Sequence, residues 1–227
     1  MSSTPDGEFE GNAPQTTGQG TPGLPEPDEE MSAQRLSAIL STPGDSALIA
    51  LLEAIRGNDP GTAAALHELL SDPDRVRAID ESGLLDEKSH PAVDQAISLT
   101  IDALGVSCAA LNVITADGQT HASIAWSSGE TSTQRPRPLT NSLCVYPVVS
   151  GSTLVIDDIA DHPMLSDHPT ACSGEVASYL GIPVRDDADH VIGVFCAWDT
   201  EPHHWSSTDI ALMSDLSILV REAVFGS

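Results

Sequence analysis

The sequence is short of basic residues. Nine Lys and Arg stand against 34 Asp and Glu in 227 residues, a net charge of -25 at pH 7, and Lys88 is the single lysine. A field of this sign repels phosphate at long range, which argues against nonspecific binding to DNA, RNA or anionic membranes. The acidic residues are spread over the whole chain, so solubility, or a salt-tolerant or high-GC bacterial proteome, explains them without a partner.

Long apolar runs and closely spaced cysteines are also missing. No stretch approaches the roughly 20 apolar residues that cross a bilayer, so no membrane partner is expected. The N-terminus has no basic segment followed by an apolar one, so no signal peptide is expected. The four cysteines stand far apart without a CxxC pair. Reduced thiols and a cytoplasmic location are therefore the expectation.

Two segments precede the part of the chain with mixed periodicity. Residues 1–30 are rich in Pro, Gly, Thr, Asp and Glu and have no Lys or Arg, a composition typical of a disordered tail. Residues 31–74 are predicted to form a helical extension, because leucines recur there at helical spacing. The apolar faces of these helices need a partner, which is either the rest of the chain or a second subunit.

A helix start marks the end of this extension. Asp72 is predicted to cap a helix and Pro73 to occupy its first position, where a missing N–H costs nothing. The spacing predicts that Val76 and Ile79 are buried on that helix.

Residues 75–227 combine helical and strand periodicity. Residues 91–104 carry an apolar helical stripe. Strand-like alternation follows, and Asp117-Gly118 indicates a tight hairpin. The segment from Ser206 to Asp209 resembles a capping box at the start of a last helix. This order predicts an α+β domain with an antiparallel sheet of about five or six strands.

The segment Tyr179 to Asp199 is predicted to be the central hairpin of that sheet. Its second strand is apolar on both faces, as in a strand that is covered on both sides. Strict alternation places Val191 on the same face as Phe195 and Ile192 on the opposite face. Gly193 leaves room for the close approach of backbone or ligand.

Several short motifs in this order resemble those of the GAF domain family. Each is weak alone, but together they span residues 75–227. The motifs are Gly83-Leu84-Leu85-Asp86 with Ala92-Val93-Asp94, Ser142-Leu143-Cys144, Leu154-Val155-Ile156-Asp157-Asp158, Tyr179-Leu180-Gly181-Ile182-Pro183-Val184 and Ile192-Gly193-Val194-Phe195-Cys196-Ala197-Trp198-Asp199.

The resemblance implies a sensory module. Its fold would be a six-stranded antiparallel sheet with helices on one face and a loop-covered small-molecule pocket on the other. It also implies a homodimer through the terminal helices, with a separate signalling protein as a further partner. It names neither ligand nor cofactor: Cys144 and Cys172 are not followed by the His of bilin-binding members, and the Asn-Lys-x-x-Phe pattern of cyclic-nucleotide-binding members is absent.

Five residues are candidate ligand-binding residues of that pocket. Tyr179 and Trp198 are aromatic residues that either shape the pocket or belong to the core. Cys144, at the start of a predicted short helix, and Cys196, in the central strand, either pack as small apolar side chains or react as thiols. Cys172 lies in a long polar loop, is expected to be accessible, and is a candidate to form a redox pair with Cys144.

The same loop, residues 157–178, also contains His162 and His168. Together with Cys172 and nearby Asp residues they are candidate metal or haem ligands, and the alternative is that they are solvated side chains. Their spacing matches no closed site, so no metal is predicted. No nucleophile–base pair or phosphate loop is recognisable, so no catalytic residue is predicted.

Three functions remain open at this point. The first is a non-enzymatic cytoplasmic sensor that binds a small molecule or senses redox state and acts through dimer or partner contacts. The second is a thiol-dependent reductase of a small sulfoxide, because one enzymatic branch of GAF domains, the free methionine sulfoxide reductases, uses cysteines. The third is a ligand-free interaction module whose pocket is filled by side chains.

Overall fold

The computed structural model describes residue 51 and residues 60–86, 90–129, 136–163 and 165–226. The predicted tail at 1–30 lies outside the described residues, and so do residues 31–50 and 52–59 of the predicted helical extension. Within the described ranges, no helix has the length and apolar character that crossing a membrane requires.

Helices and strands alternate along the described chain as the periodicity predicts. In order they are α1 (Pro60–Leu70), α2 (Pro73–Ser82), α3 (Pro91–Leu104), β1 (Cys108–Thr115), β2 (Gly118–Trp126), a 3-10 helix (Leu139–Asn141), α4 (Val145–Ser150), β3 (Leu154–Ile156), α5 (Pro169–Cys172), β4 (Ser178–Arg185), β5 (Val191–Asp199) and α6 (Ser207–Phe225). The last helix begins with a complete capping box, in which Ser206 and Asp209 bond each other's backbone N–H groups, as predicted.

The strands form one antiparallel sheet in the order β2-β1-β5-β4-β3. β5 lies at its centre, and every residue from Val191 to Trp198 is buried. The predicted hairpin of β4 and β5 is therefore confirmed, as is the prediction that its second strand is covered on both faces.

The resemblance implied six strands, whereas the described residues contain five. Beside β2 the ladder continues only at Arg137, whose N–H and C=O bond Gln119 at 2.8 and 2.9 Å. It stops there because the chain turns into the 3-10 helix at Leu139. Pro136 and Pro138 also leave the outer edge without N–H donors, so a further strand would find only carbonyl acceptors at these two positions.

The two faces of the sheet are covered by different elements. Helices α2, α3 and α6 cover one face, and the buried cluster between them and the sheet consists of apolar side chains. The opposite face is covered by α4, by the loop between β3 and β4, and by α1. Leu66 and Leu70 of α1 are buried in that second cluster, so this part of the predicted extension packs against its own chain.

Helix α2 begins as predicted but turns a different face inward. Asp72 caps it by accepting hydrogen bonds from the backbone N–H groups at positions 74 and 75, and Pro73 occupies its first turn. Ile79 is buried, but Val76 is 39% exposed, so the prediction that Val76 is buried was wrong. The buried face starts one residue earlier, at Arg75, and a one-residue offset rotates a helix by about 100°.

Arg75 holds this orientation because its buried guanidinium has three backbone acceptors. They are the carbonyl oxygens of Leu70 at 3.1 Å, Val191 at 2.8 Å and Ile114 at 2.5 Å. Burial lowers the pKa of Arg75 to about 10, although Asp72 opposes the shift, so the group stays charged at pH 7. The hydrogen bonds of this cation thus connect α2 to the end of β1 and the start of β5.

Strict alternation fails at the start of β5. The pairing with β4 skips Ile192, which is an extra residue in a β-bulge. A bulge exchanges the two faces of a strand, so Ile192 packs under the helices and Val191 under the loops. The predicted faces of these two residues were therefore wrong. Gly193 is confirmed as a point of close approach, because a Cβ there would lie 2.8 Å from the carbonyl oxygen of Asn112.

Candidate functional site

A second bulge, in the β1–β2 hairpin, places a histidine on the loop-covered face. The register shifts at Asn112, which pairs with His121 and leaves Ala122 as the extra residue. Counted back from Trp126, alternation alone would turn His121 toward the helices. The bulge turns it toward the loops instead, where its Nδ1 lies 2.5 Å from Oδ1 of Asn112.

Tyr179 enters the same region through space left by Gly181. A Cβ on Gly181 would overlap the phenol ring and hydroxyl of Tyr179, so glycine at this position lets the ring lie along β4. The Tyr179 hydroxyl then lies 3.1 Å from Sγ of Cys144. Cys144 is the residue immediately before α4 and is itself buried.

Two thiols meet at this point. Nδ2 of Asn112 lies 3.2 Å from Sγ of Cys144 and 3.2 Å from Sγ of Cys196. The two thiols therefore share one amide nitrogen as their hydrogen-bond partner. Asn112, both cysteines, Tyr179 and His121 are all buried. Buried polar groups that satisfy one another in this way form a connected network inside an otherwise apolar layer.

The network determines which thiol ionises. Burial opposes ionisation of Cys144, but hydrogen bonds from Cys196, Tyr179, Asn112 and Ser142 outweigh it and lower the pKa of Cys144 below its ordinary value. Burial, together with the neighbouring Cys144, raises the pKa of Cys196 and that of Tyr179 well above their ordinary values. Both therefore keep their protons and donate them to Cys144, so the cluster favours a single thiolate, at Cys144.

His121 stays neutral beside this thiolate. Burial, with the positive charge of Arg137, lowers the pKa of His121 to about 4. The amide nitrogen of Asn112 faces the two thiols, so its Oδ1 faces His121 and accepts the proton on Nδ1. His121 thereby orients the amide that contacts both cysteines.

Two adjoining cavities lead to the network. The inner one, of about 40 Å³, has Cys144, Cys196, Tyr179 and Trp198 in its wall, and it has room for about two or three water molecules. The outer one, of about 210 Å³, lies between the 3-10 helix and α5. Arg137, Asn141 and Thr170 line both cavities. A metabolite would enter by the outer cavity and reach Cys144 only if side chains of the inner one moved.

Four of the five predicted ligand-binding residues meet at the inner cavity. These are Cys144, Tyr179, Cys196 and Trp198. Cys172 is exposed on α5 and does not line that cavity. The thiol that shares the Asn112 amide with Cys144 is that of Cys196, and the pairing of Cys144 with Cys172 stays a prediction.

For the metal or haem alternative, the structure gives the surroundings of one candidate ligand in the loop, His168. Among the described residues, three side chains able to share a metal ion come together at Asp72, Asp74 and His190, away from the loop. His168 is buried rather than solvated, with Nδ1 2.7 Å from the hydroxyl of Thr170, and it caps α5. This bond accounts for the burial of His168 without a metal.

Sequence reasoning missed four polar residues of the site. Asn112 and His121 are polar positions within otherwise apolar strands, and this pattern was the available signal. Ser142 and Gln119 are buried beside them, with the Ser142 hydroxyl 2.5 Å from Oε1 of Gln119. A buried amide or imidazole needs a partner, but the bulge that supplies the partner here leaves no mark in the residue pattern.

Comparison with solved structures finds similar chains, at low identity. One is a free methionine-R-sulfoxide reductase from Neisseria meningitidis in complex with its substrate, with 23% identity, a TM-score of 0.48 and coverage of 72% of this chain and 90% of that one. Another is the GAF domain of an Acinetobacter phosphoenolpyruvate-protein phosphotransferase, with 15% identity, a TM-score of 0.47 and coverage of 66% and 90%. A third is the PixJ GAF domain of Thermosynechococcus elongatus, with 14% identity, a TM-score of 0.47 and coverage of 66% and 89%.

The comparison of sequence families gives a more definite result. No curated protein matches the chain. The model of the GAF domain family matches residues 89–224, which is more than half of the 227 residues and includes β1 to β5, α6 and every residue of the network. The chain therefore belongs to the GAF domain family.

Proposed function

We propose that this protein is a non-enzymatic sensory GAF module and that the thiol of Cys144 receives its signal. One observation carries the proposal: Cys144 and Cys196 contact the same amide within a buried hydrogen-bonded network at a cavity. A site built for packing alone gains nothing from an amide, an imidazole and a phenol, because each must find a partner when it is buried. The network instead stabilises the reactive form of one thiol beside a second thiol.

The chemistry that fits this pair is two-electron oxidation by a small hydroperoxide. The Cys144 thiolate attacks one peroxide oxygen, a sulfur–oxygen bond forms, the oxygen–oxygen bond breaks, and the other oxygen leaves as an alcohol or water after taking up a proton. The Cys196 sulfur then attacks the sulfenic acid, a disulfide forms, and the hydroxyl group leaves as water with the Cys196 proton. A cellular dithiol of the thioredoxin class would restore both thiols.

Disulfide formation would move an element outside the cavity. Two sulfur atoms that contact the same amide nitrogen would move to about 2.05 Å from each other, which draws the start of α4 toward β5. The bonds from Asn112 and Tyr179 to a thiolate would be lost at the same time. We also propose a cytoplasmic setting, in which both thiols stay reduced between signals.

The output proposed here is a contact between helices on the outer surface. Leu99 of α3 and Ile218 and Leu219 of α6 are 48%, 53% and 54% exposed, and α3 packs against α6. These side chains suit a homodimer or a signalling partner. Sedimentation of the wild type beside a Leu219→Asp variant tests this part, and equal masses for the two proteins would contradict it.

Oxidation followed by mass spectrometry tests the input. Hydrogen peroxide should remove two hydrogens from the protein, and digestion should find the Cys144 and Cys196 peptides joined. Cys196→Ser should instead accumulate a sulfenic acid at Cys144, which dimedone traps, whereas the matched Cys172→Ser variant should behave like the wild type. A disulfide that contains Cys172, or no oxidation of Cys144, would overturn the proposal.

A second function uses the same residues. In a reductase, the oxygen of a small sulfoxide would pass to the Cys144 thiolate: its bond to the sulfoxide sulfur breaks, a bond to the cysteine sulfur forms, and the sulfide leaves. The oxygen takes up one proton from solvent to give a sulfenic acid, which a cellular dithiol reduces back to the thiol with release of water. The low pKa of Cys144 and its place in the wall of a cavity favour this reaction as well. Repeated, reductant-dependent turnover of free sulfoxides that is lost in Cys144→Ser would establish it, and a single stoichiometric oxidation without turnover supports the sensor.

A further inference from the structure

One cation, Arg137, stands in the wall of both cavities of an otherwise strongly acidic protein. The chain has a net charge of -25, yet no Asp or Glu lines the inner cavity, and Arg137 is its one cationic residue. His121, which also lines it, is neutral because its pKa is lowered to about 4. Long-range repulsion keeps anions away from the surface in general, but within a Debye length of about 8 Å the nearest charge dominates.

Arg137 is held firmly at this place. Its backbone is paired with Gln119 through both of its hydrogen bonds, and Pro136 and Pro138 restrict the chain on either side. Gly118 lets the backbone of Arg137 lie close to the start of β2, because a Cβ at position 118 would lie 2.5 Å from the Arg137 carbonyl oxygen. A cation whose backbone is fixed in advance loses less entropy when it binds a ligand.

Within the protein, Arg137 forms a weak ion pair with Glu175. Nη1 of Arg137 lies 3.0 Å from a carboxylate oxygen of Glu175, and these two side chains are 40% and 49% exposed. Ion pairs this exposed contribute little to stability, because solvent screens both charges. Glu175 lines only the outer cavity, so another carboxylate that enters there competes with it for Arg137 at little cost.

We propose that the outer cavity selects small carboxylate ligands, which Arg137 binds in place of Glu175 so that the rest of the ligand points toward Cys144. The amide of Asn141, in the wall shared by both cavities, supplies a further hydrogen-bond donor. The inference rests on the proposed function, since it names the class of molecule that reaches the reactive thiol.

The experiment uses two thiol reagents of nearly equal size that differ in charge. Iodoacetate carries a carboxylate and iodoacetamide a neutral amide. With either reagent the thiolate sulfur forms a bond to the CH₂ carbon and iodide leaves. The rate at Cys144 is measured by mass spectrometry, and the iodoacetate-to-iodoacetamide ratio is normalised to the same cysteine in the urea-unfolded chain. Selection by Arg137 should raise this ratio on the order of tenfold in the folded protein.

Three variants connect the ratio to the proposed residues. Arg137→Gln should return it to the unfolded value, and Glu175→Gln should raise it above that of the wild type, because the competing carboxylate is gone. Arg77→Gln removes an equal charge from an exposed position on α2 and should leave the ratio unchanged. Thermal melts of each variant establish that it is folded before its rates are compared.

The outcomes separate this inference from the function on which it depends. A ratio near the unfolded value, with Cys144 still alkylated by both reagents, overturns the selection of carboxylates and leaves the thiol sensor intact. A raised ratio that persists in Arg137→Gln also overturns it. Failure of both reagents to reach Cys144 in the folded protein also overturns the selection of carboxylates, whereas the thiol sensor is overturned only if hydrogen peroxide leaves Cys144 unoxidised.

Discussion

The two faces of the sheet use the same strands but handle polar groups in different ways. Under the helices, the buried hydroxyls of Thr100 and Ser82 donate to carbonyls of their own helices, at 2.9 and 2.5 Å. Under the loops, Asn112, His121 and Cys144 bond other side chains that are distant in sequence. A polar side chain that is satisfied locally leaves packing undisturbed, whereas side chains that satisfy one another need a particular tertiary arrangement.

This difference indicates what each face is for. The helix-covered face is an apolar core that stabilises the domain, since burial of apolar area is the main favourable contribution to folding. The loop-covered face buries five polar or thiol side chains, which contact one another beside a cavity. Burial of apolar area therefore stabilises the domain less on this face. Substitutions on the two faces should therefore have separable effects.

The largest effect on stability is expected from Phe195→Ala, on the helix-covered face. Phe195 is fully buried in β5, and removing such a ring leaves a cavity that costs about 3–5 kcal/mol. Urea unfolding measures the loss. The pH dependence of Cys144 alkylation in the folded variant should not change. A shift in that profile would show that the two faces are coupled.

An intermediate effect is expected from His121→Gln, and it depends on pH. The folded pKa of about 4 lies below the value of 6.5 in the unfolded chain. Below pH 6.5 the unfolded state therefore binds a proton that the folded state does not. Stability is full above pH 6.5 and falls as the pH drops toward 4, by about 3 kcal/mol at most from about 1.4 kcal/mol per pKa unit.

Glutamine cannot titrate but can still donate to Asn112, so the variant should lack this part of the acid-induced loss. The measurement is the free energy of unfolding in urea at several pH values, compared between wild type and variant. His204→Gln, at an exposed histidine that bonds Asp157, is the matched control. Identical pH curves for wild type and His121→Gln would contradict the assignment of a neutral buried imidazole.

The smallest effect on stability is expected from Tyr179→Phe, on the loop-covered face. The variant keeps the ring that packs beside Gly181 and removes one donor to Cys144, and such a bond is worth about 1–2 kcal/mol. The pKa of Cys144 should rise, and alkylation by iodoacetamide at pH 7 should slow several-fold, up to about tenfold. Tyr146→Phe, on α4, is the control. An unchanged rate would mean that Tyr179 does not stabilise the thiolate.

Much of the fold could be predicted because its signals are local. The Asp72 cap, the capping box at Ser206, the hairpin at Asp117-Gly118 and the doubly covered β5 all follow from short stretches of sequence, and the structure confirms each of them. Val76 was predicted wrongly because a buried arginine, rather than an apolar residue, begins the inner face of α2.

The site was predicted only in part. Tyr179, Trp198, Cys144 and Cys196 were identified because aromatic rings and thiols stand out in a sequence with few of either. Asn112 and His121 were missed because their contact depends on the bulge at Ala122. The pairing of Cys144 with Cys172 stays a prediction, whereas the placement of Cys196 at the amide that also contacts Cys144 depends on distances that sequence spacing does not contain.

By itself the sequence determined the α+β class, the order of elements and membership of the GAF family. The class and the order of elements depend on periodicity, caps and turns, which act over a few neighbouring residues, whereas the family rests on short motifs and on the match of the family model to residues 89–224. The tertiary structure decided which thiol faces Cys144, which nitrogen of His121 carries the proton and which cation stands at the entrance. Those features depend on two one-residue bulges and on a single strand pair at Arg137. A shift of one residue moves a side chain to the opposite face of the sheet while leaving the local pattern unchanged.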